Sequence, residues 1–195
     1  MQAAFQMARL GSLAVISVIC TIASCGILVS ITKNSFSASS MEHNNSYNNT
    51  FLHEVNKSFP GDNTYLHAKV TVNGFNVMAD VAVTDEQMTK GLDIKNNLTE
   101  NQGMLFVFQQ PGRYGFWMMG MKFPIDIIWL DSNDTVTHIE HSLEPCLPNS
   151  FGRSYLLCPT YSPEKGSLYV LETVSGFSVE HNVRVGTHVG LELMK

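Results

Sequence analysis

A mainly β fold, a partly closed antiparallel barrel with one or two short helices, is what this sequence predicts for the region from residue 63 to residue 195. Three observations predict it. Apolar and polar residues alternate with the period of a strand in several short runs. Gly, Pro and Asn signals separate those runs. A helix start is visible at only one place, and no strand–helix–strand spacing recurs as it would in a parallel sheet.

The elements follow in order. Leu66, Ala68, Val70 and Val72 alternate against His67, Lys69 and Thr71; Asn73-Gly74 follows; then Phe75, Val77, Ala79 and Val81 alternate again. Asn-Gly between two such runs predicts a hairpin with a type I′ turn, because both central residues must take positive φ. Thr84 with Gln87 three residues on matches a capping box opening a helix of about two turns, which Gly91 can close. Met104 to Phe108, Tyr114 to Met119, Ile125 to Leu130 and Thr135 to Ile139 read as strands of a meander, joined at Pro111-Gly112 and Ser132-Asn133. From His141 to Lys165 four prolines exclude a central strand and predict a long loop. Strand character returns at Leu168 to Thr173 and, after a turn near Gly176, at Thr187 to Leu193.

Ahead of this domain the composition changes twice. Leu10 to Thr32 holds no charged residue over about 23 positions, where roughly 20 suffice to cross a bilayer. Residues 1–33 therefore read as an uncleaved membrane anchor, since a signal peptide has a shorter apolar core. Cleavage would leave a secreted protein, and Ile22-Ala23-Ser24-Cys25 also has the form of a lipidation box. Residues 34–62 are rich in Asn, Ser and His and read as a flexible tether. Asn44, Asn48, Asn56, Asn97 and Asn133 begin Asn-x-Ser/Thr sequons, which matter only outside the cytoplasm. Cys146 and Cys158, the only cysteines beyond the apolar segment, fit a disulfide of an oxidising compartment, since their spacing matches no zinc motif. The expected setting is thus a single-pass membrane protein with its C-terminal domain outside. A net charge of −5, with scattered arginines, argues against a nucleic-acid partner.

Two acids interrupt apolar strands. Asp126 lies among Ile125, Ile127, Ile128, Trp129 and Leu130, and Glu172 lies in LYVLETV. A carboxylate so placed must be paired or hydrogen-bonded. Asp126 is either a polar knot, fixed by backbone N–H groups or Lys95, or a site residue. If the two acids faced each other they could form a hydrolase pair. Met118, Met119 and Met121 with His138 and His141 raise a copper reading, but on strands neither Met118 and Met119 nor His138 and His141 share a face, so core methionine is expected and no metal or cofactor is assigned. Phe116, Trp117, Trp129, Tyr155, Tyr161 and Tyr169 supply aromatic surface, with Phe116 and Trp117 on opposite sides of one strand. No Ser-His-Asp order, phosphate loop or His-Glu-x-x-His helix is present.

The segment Gly91-Leu92, Gly103-Met104-Leu105-Phe106-Val107-Phe108, Phe116-Trp117-Met118, Pro124-Ile125-Asp126 and Asp131, followed by Val170 to Gly176, resembles domain-of-unknown-function family 192 at matching spacing. The resemblance covers essentially the whole C-terminal domain. It implies a compact, mostly antiparallel β fold, often exported, with no agreed activity. Asp93 stands where that family has Met, and Lys95 where it has Arg, so a planar bidentate partner for a carboxylate is lost. The functional expectation is a tethered binding or accessory module for an envelope glycan or protein. Its groove would involve Lys95, Trp117, Met118, Asp126 and the loop from His141 to Lys165. A hydrolase built on Asp126 and Glu172 is the alternative.

Overall fold

The computed structural model describes residues 49–146 and 158–195. The predicted anchor, the first part of the tether and the middle of the Cys146–Cys158 loop lie outside them. Among the described residues no helix is long and apolar enough to cross a membrane.

Seven strands form one mixed sheet: β1 Leu66–Val72, β2 Phe75–Ala82, β3 Gln102–Gly112, β5 Ile125–Leu130, β6 Val136–Leu143, β8 Ser167–Val174 and β9 Val189–Leu193. Their order is β6-β5-β8-β3-β2-β1-β9, and a separate two-stranded ribbon pairs β4 Phe116–Trp117 with β7 Thr160–Tyr161. The β1–β2 hairpin turns at Asn73 and Gly74, with φ of 47° and 86°, as the Asn-Gly pair predicts. Helix α2, Asp85–Lys90, opens with the full Thr84/Gln87 capping box and passes at Gly91 into a single 3-10 turn, Gly91–Ile94.

The predicted meander is corrected by the pairing. β3 lies parallel to β2, and the intervening segment carrying α2 is a crossover connection. A crossover of this kind needs a dozen or more residues, and the stretch from Val83 to Asn101 is long enough. Nor do β3 and the following strand form a hairpin. β3 runs on through Pro111 and Gly112 with a register break after Val107, and β4 leaves the sheet to pair with β7. Proline cannot donate to a ladder, which suits this irregular end of the strand.

The sheet is not closed into a barrel. Its edge strands β6 and β9 meet only where they begin, through a Thr135–His188 bridge and bonds such as Val136 N–H to Thr187 O at 2.9 Å. A helix contributes where further strands would be needed for closure. Helix α1, Thr50–Ser58, buries Phe51 and Val55 in the core on one face of the sheet, with Phe51 edge-on to Tyr169. For residues 50–58 this differs from the expected tether. Phe51 and Val55, four apart on a helix, share a stripe, and Asn49 caps it by accepting from Leu52 N–H at 3.0 Å. Burial of Phe51 stabilises the domain by about 2–3 kcal/mol.

Because β-strand side chains alternate, the sheet carries two cores. On the α1 face lie Val70, Val77, Leu105, Ile128, Tyr169 and Leu171. On the opposite face Met104, Phe106, Ile127, Trp129 and Val170 pack under Met88, Leu92, Phe116, Met118 and Met121, contributed by α2, the 3-10 turn and the segment around β4. That second layer shapes the cleft described next.

Candidate functional site

Asp126 is fully buried and fully engaged. One carboxylate oxygen accepts from Ser142 N–H at 2.8 Å and Gly176 N–H at 3.0 Å. The other accepts from Ser178 N–H at 2.9 Å and from the Ser178 hydroxyl. These donors come from the end of β6 and from the turn leading out of β8, so one side chain pins both neighbours' ends to β5, the strand between them. Positive φ at Gly176 (87°) and Ser142 (48°) shapes the backbone where both donate. Asp126 is a structural knot. Lys95 is not its partner: the ammonium pairs with Asp80 at 2.7 Å.

Glu172 stands on the other face. In the β5–β8 register Glu172 is opposite Ile127, whereas Asp126 is opposite Thr173. Cross-strand neighbours share a face, so the two acids point away from each other across the sheet. They are not brought together, so Asp126 and Glu172 cannot flank a scissile bond as a pair.

What surrounds Glu172 is more informative. Its side chain is 6 % exposed, and Oε2 has no hydrogen-bond partner among the described residues. Burial pushes its carboxyl up to about 8, so at neutral pH the folded protein holds it mostly protonated. It lines a cavity of about 40 Å³ together with Met88, Phe106, Phe116, Trp117, Met119 and Met121, with Thr89, Lys90, Gly91, Asp93 and Gly115 completing the wall. At roughly 10–15 Å³ per water-sized group, the cavity takes an ion or a few heavy atoms, not a sugar ring. Lys90, the one cationic side chain of the lining, is held by Glu86 at 2.7 Å. Among the described residues no polar group bonds its Oε2.

Close backbone packing holds Glu172 in place. A Cβ on Gly103 would come within 2.6 Å of the Glu172 carbonyl oxygen and 3.0 Å of Val77, so only glycine fits where β3 passes β8. At the cavity wall Gly91, with φ 48°, ends α2 so that Leu92 can turn inward.

The remaining predicted residues divide. Trp117 is half-buried and Phe116 beside it buried, and both belong to the cavity lining. Met118 is core, and its carbonyl accepts from Cys146 N–H at 2.9 Å. Cys146 and Cys158 form a disulfide, Cα atoms 5.8 Å apart. Trp129 and Tyr169 are buried in the two cores, and Tyr155 lies outside the described residues. Among the described residues no group of three or more His, Cys, Asp or Glu side chains is placed to hold a metal. Sequence reading missed Met88, Asp93 and the 3-10 turn. The signal was present in Met88 lying on the apolar side of the capped helix, but nothing local says that this side faces Glu172.

A family model matches residues 68–191, more than half of the chain. The chain belongs to the DUF192 family, described as Uncharacterized ACR. No curated protein matches it. Among solved structures it is similar to a protein of unknown function from Novosphingobium aromaticivorans, with 23% identity, a TM-score of 0.55 and coverage of 65% of this chain and 84% of that one. It is also similar to a proposed transcription regulator from Sinorhizobium meliloti, with 19% identity, a TM-score of 0.55 and coverage of 66% and 94%. At these identities the likeness shows the fold alone.

The DUF192 motif residues can now be given physical roles. Gly103 permits the β3–β8 approach, Phe116 packs the second core, and Asp126 ties the loops. Asp131 closes the β5–β6 turn by accepting from Asn133 N–H at 2.8 Å and Thr135 N–H at 3.1 Å. Each of these roles is structural. Glu172 differs in that its buried Oε2 has no hydrogen-bond partner among the described residues.

Proposed function

We propose that this DUF192 domain is a ligand-binding module whose site is the Glu172 cavity, held on the outer side of a membrane by the apolar N-terminal segment. The observation that carries the reading is the unpaired, buried Glu172 carboxyl in a cavity walled by methionine and aromatic side chains. Leaving an acid buried without a partner costs free energy that the fold could avoid with Leu or Met. A ligand that supplies the missing contact accounts for its retention. The cavity volume favours a small ligand, or the tip of a larger one such as a side chain of an envelope protein or a substituent of a glycan.

Binding is favoured over hydrolysis because catalysis needs a second group held near the first, and Asp126 is spent on backbone donors on the far face. The outside location rests on the uncharged stretch from Leu10 to Thr32, the sequons and the cysteine pair. Exposure of Asn56, Asn97 and Asn133 on the domain surface is compatible with it. Protease added to intact cells tests this part: the domain should be digested, and survival until lysis, beside external proteins that are degraded, would place it inside.

Calorimetric screening of ions, small molecules, envelope glycans and peptides against the full chain and Glu172→Gln tests the site. The proposal expects saturable binding that is lost in the variant while its melting transition remains. Product formation on long incubation, abolished by the same substitution, would overturn binding in favour of catalysis.

A further inference from the structure

We infer that the ligand of this cavity is a soft monovalent cation of the Cu(I) or Ag(I) kind, held by the thioethers of Met88, Met119 and Met121 with the Glu172 carboxylate as counter-charge. This rests on the reading of the cavity as a ligand site and goes beyond it in naming the chemistry. Met88 comes from α2 and Met119 and Met121 from the segment after β4, yet all three line one cavity of about 40 Å³ with Glu172 and Trp117. The rule that neighbouring strand residues face opposite ways excludes Met118, which is core, and does not exclude the set that forms.

Thioether sulfur is neutral, polarisable and a poor ligand for hard cations, and it selects Cu(I) among biological metals. Three such groups with the buried Glu172 carboxyl, and with Asp93 on the same wall, give a soft and anionic donor set for a cation. Half-buried Trp117 adds an aromatic face attracted to a cation. Methionine is also an ordinary core filler, and Met88 and Met121 are only 7 % and 6 % exposed. Core filling does not account for an acid with an unpaired oxygen in the same cavity. Among the described residues no cation is paired with it: Lys90 is held by Glu86, and Lys122 reaches instead the Asp93 carbonyl and Asn96, so an entering ion takes the place of the carboxyl proton, which is released to solvent.

The test uses the full chain with Cys20 and Cys25 replaced by Ser, because free thiols also bind soft metals. It is titrated with Ag(I) in chloride-free buffer, and with Cu(I) under anaerobic competition with a chromogenic chelator. Methionine methyl groups are followed by NMR. The inference expects one ion per chain, shifts at Met88, Met119 and Met121, and affinity lower by at least about 100-fold in the Met88→Leu/Met119→Leu/Met121→Leu variant. Glu172→Gln should weaken binding by at least about 100-fold, to below what the titration detects. Met78→Leu and Met194→Leu, at exposed positions outside the cavity, should change nothing. Leucine keeps the apolar volume, and single Met→Leu variants serve if the triple variant melts early. Absence of Ag(I) binding, or binding that the cavity variants leave unchanged, overturns the inference. If Ag(I) leaves the three methyls unmoved while a small molecule from the wider screen moves them, the cation assignment fails and the ligand site stands; if nothing moves them, both fail.

Discussion

Replacing Glu172 by Gln should make the domain more stable in alkali and should flatten its dependence on pH. The folded state raises this carboxyl from 4.5 to about 8 through burial. Between those values the folded chain binds a proton that the unfolded chain has lost, so stability falls as pH rises. The stabilising contribution is complete below about 4.5 and is gone once pH has passed 8. At about 1.4 kcal/mol per pKa unit, the loss is about 3 kcal/mol by pH 7 and about 5 kcal/mol above pH 8. A neutral amide of the same shape has no such slope. Urea unfolding of the full chain and of Glu172→Gln, followed by tryptophan fluorescence at pH 5, 7 and 8.5, isolates the effect, because every other titrating group cancels in the difference. The two curves should lie close at pH 5 and diverge by several kcal/mol at pH 8.5, with the variant more stable. Parallel curves across that range would refute the argument, since they would mean that Glu172 is ionised without cost and is solvated or paired.

Asp126→Asn should cost about 1–3 kcal/mol, because an amide has one acceptor oxygen for donors that now occupy two, and the fully buried Ser178 N–H cannot turn to water; an amide variant as stable as wild type in urea would remove the knot. Gly103→Ala should cost about 1–3 kcal/mol through its clash with the Glu172 carbonyl, and an unchanged melting temperature would show that β3 and β8 are less tightly apposed. The Cys146–Cys158 bridge closes a loop of about a dozen residues and contributes about 2–3 kcal/mol in the chain-entropy model. Mass mapping without reductant should recover the linked peptides, and two free thiols in protein purified from its native cells would reject it.

Those parts of the molecule that depend on neighbours in the chain were legible. The Asn73-Gly74 turn, the Thr84/Gln87 box and the runs of β1, β2, β5 and β8 each follow from residues within a few positions of one another. Placement was not. Whether β3 returns parallel to β2, whether β4 stays in the sheet, and whether Phe51 and Val55 of a polar segment find a core are decided by packing between distant segments. The same division runs through the site. An acid within an apolar strand flagged both Asp126 and Glu172, but the sequence could not distinguish them. One is satisfied by donors 16 to 52 residues away, and the other faces a cavity closed by Met88 from a different element. The register that puts Thr173 opposite Asp126 separates the two acids, and register is a property of the assembled sheet.

Native mass spectrometry of the full chain, purified from its native cells without chelator or stripping, compares wild type with Glu172→Gln and so tests most directly whether the cavity exists for a ligand. Wild type should carry a non-covalent mass that disappears on denaturation and is missing from the folded variant. Wild type and variant with identical native masses, both equal to the denatured chain and both unresponsive to the ligand screen, would contradict the account.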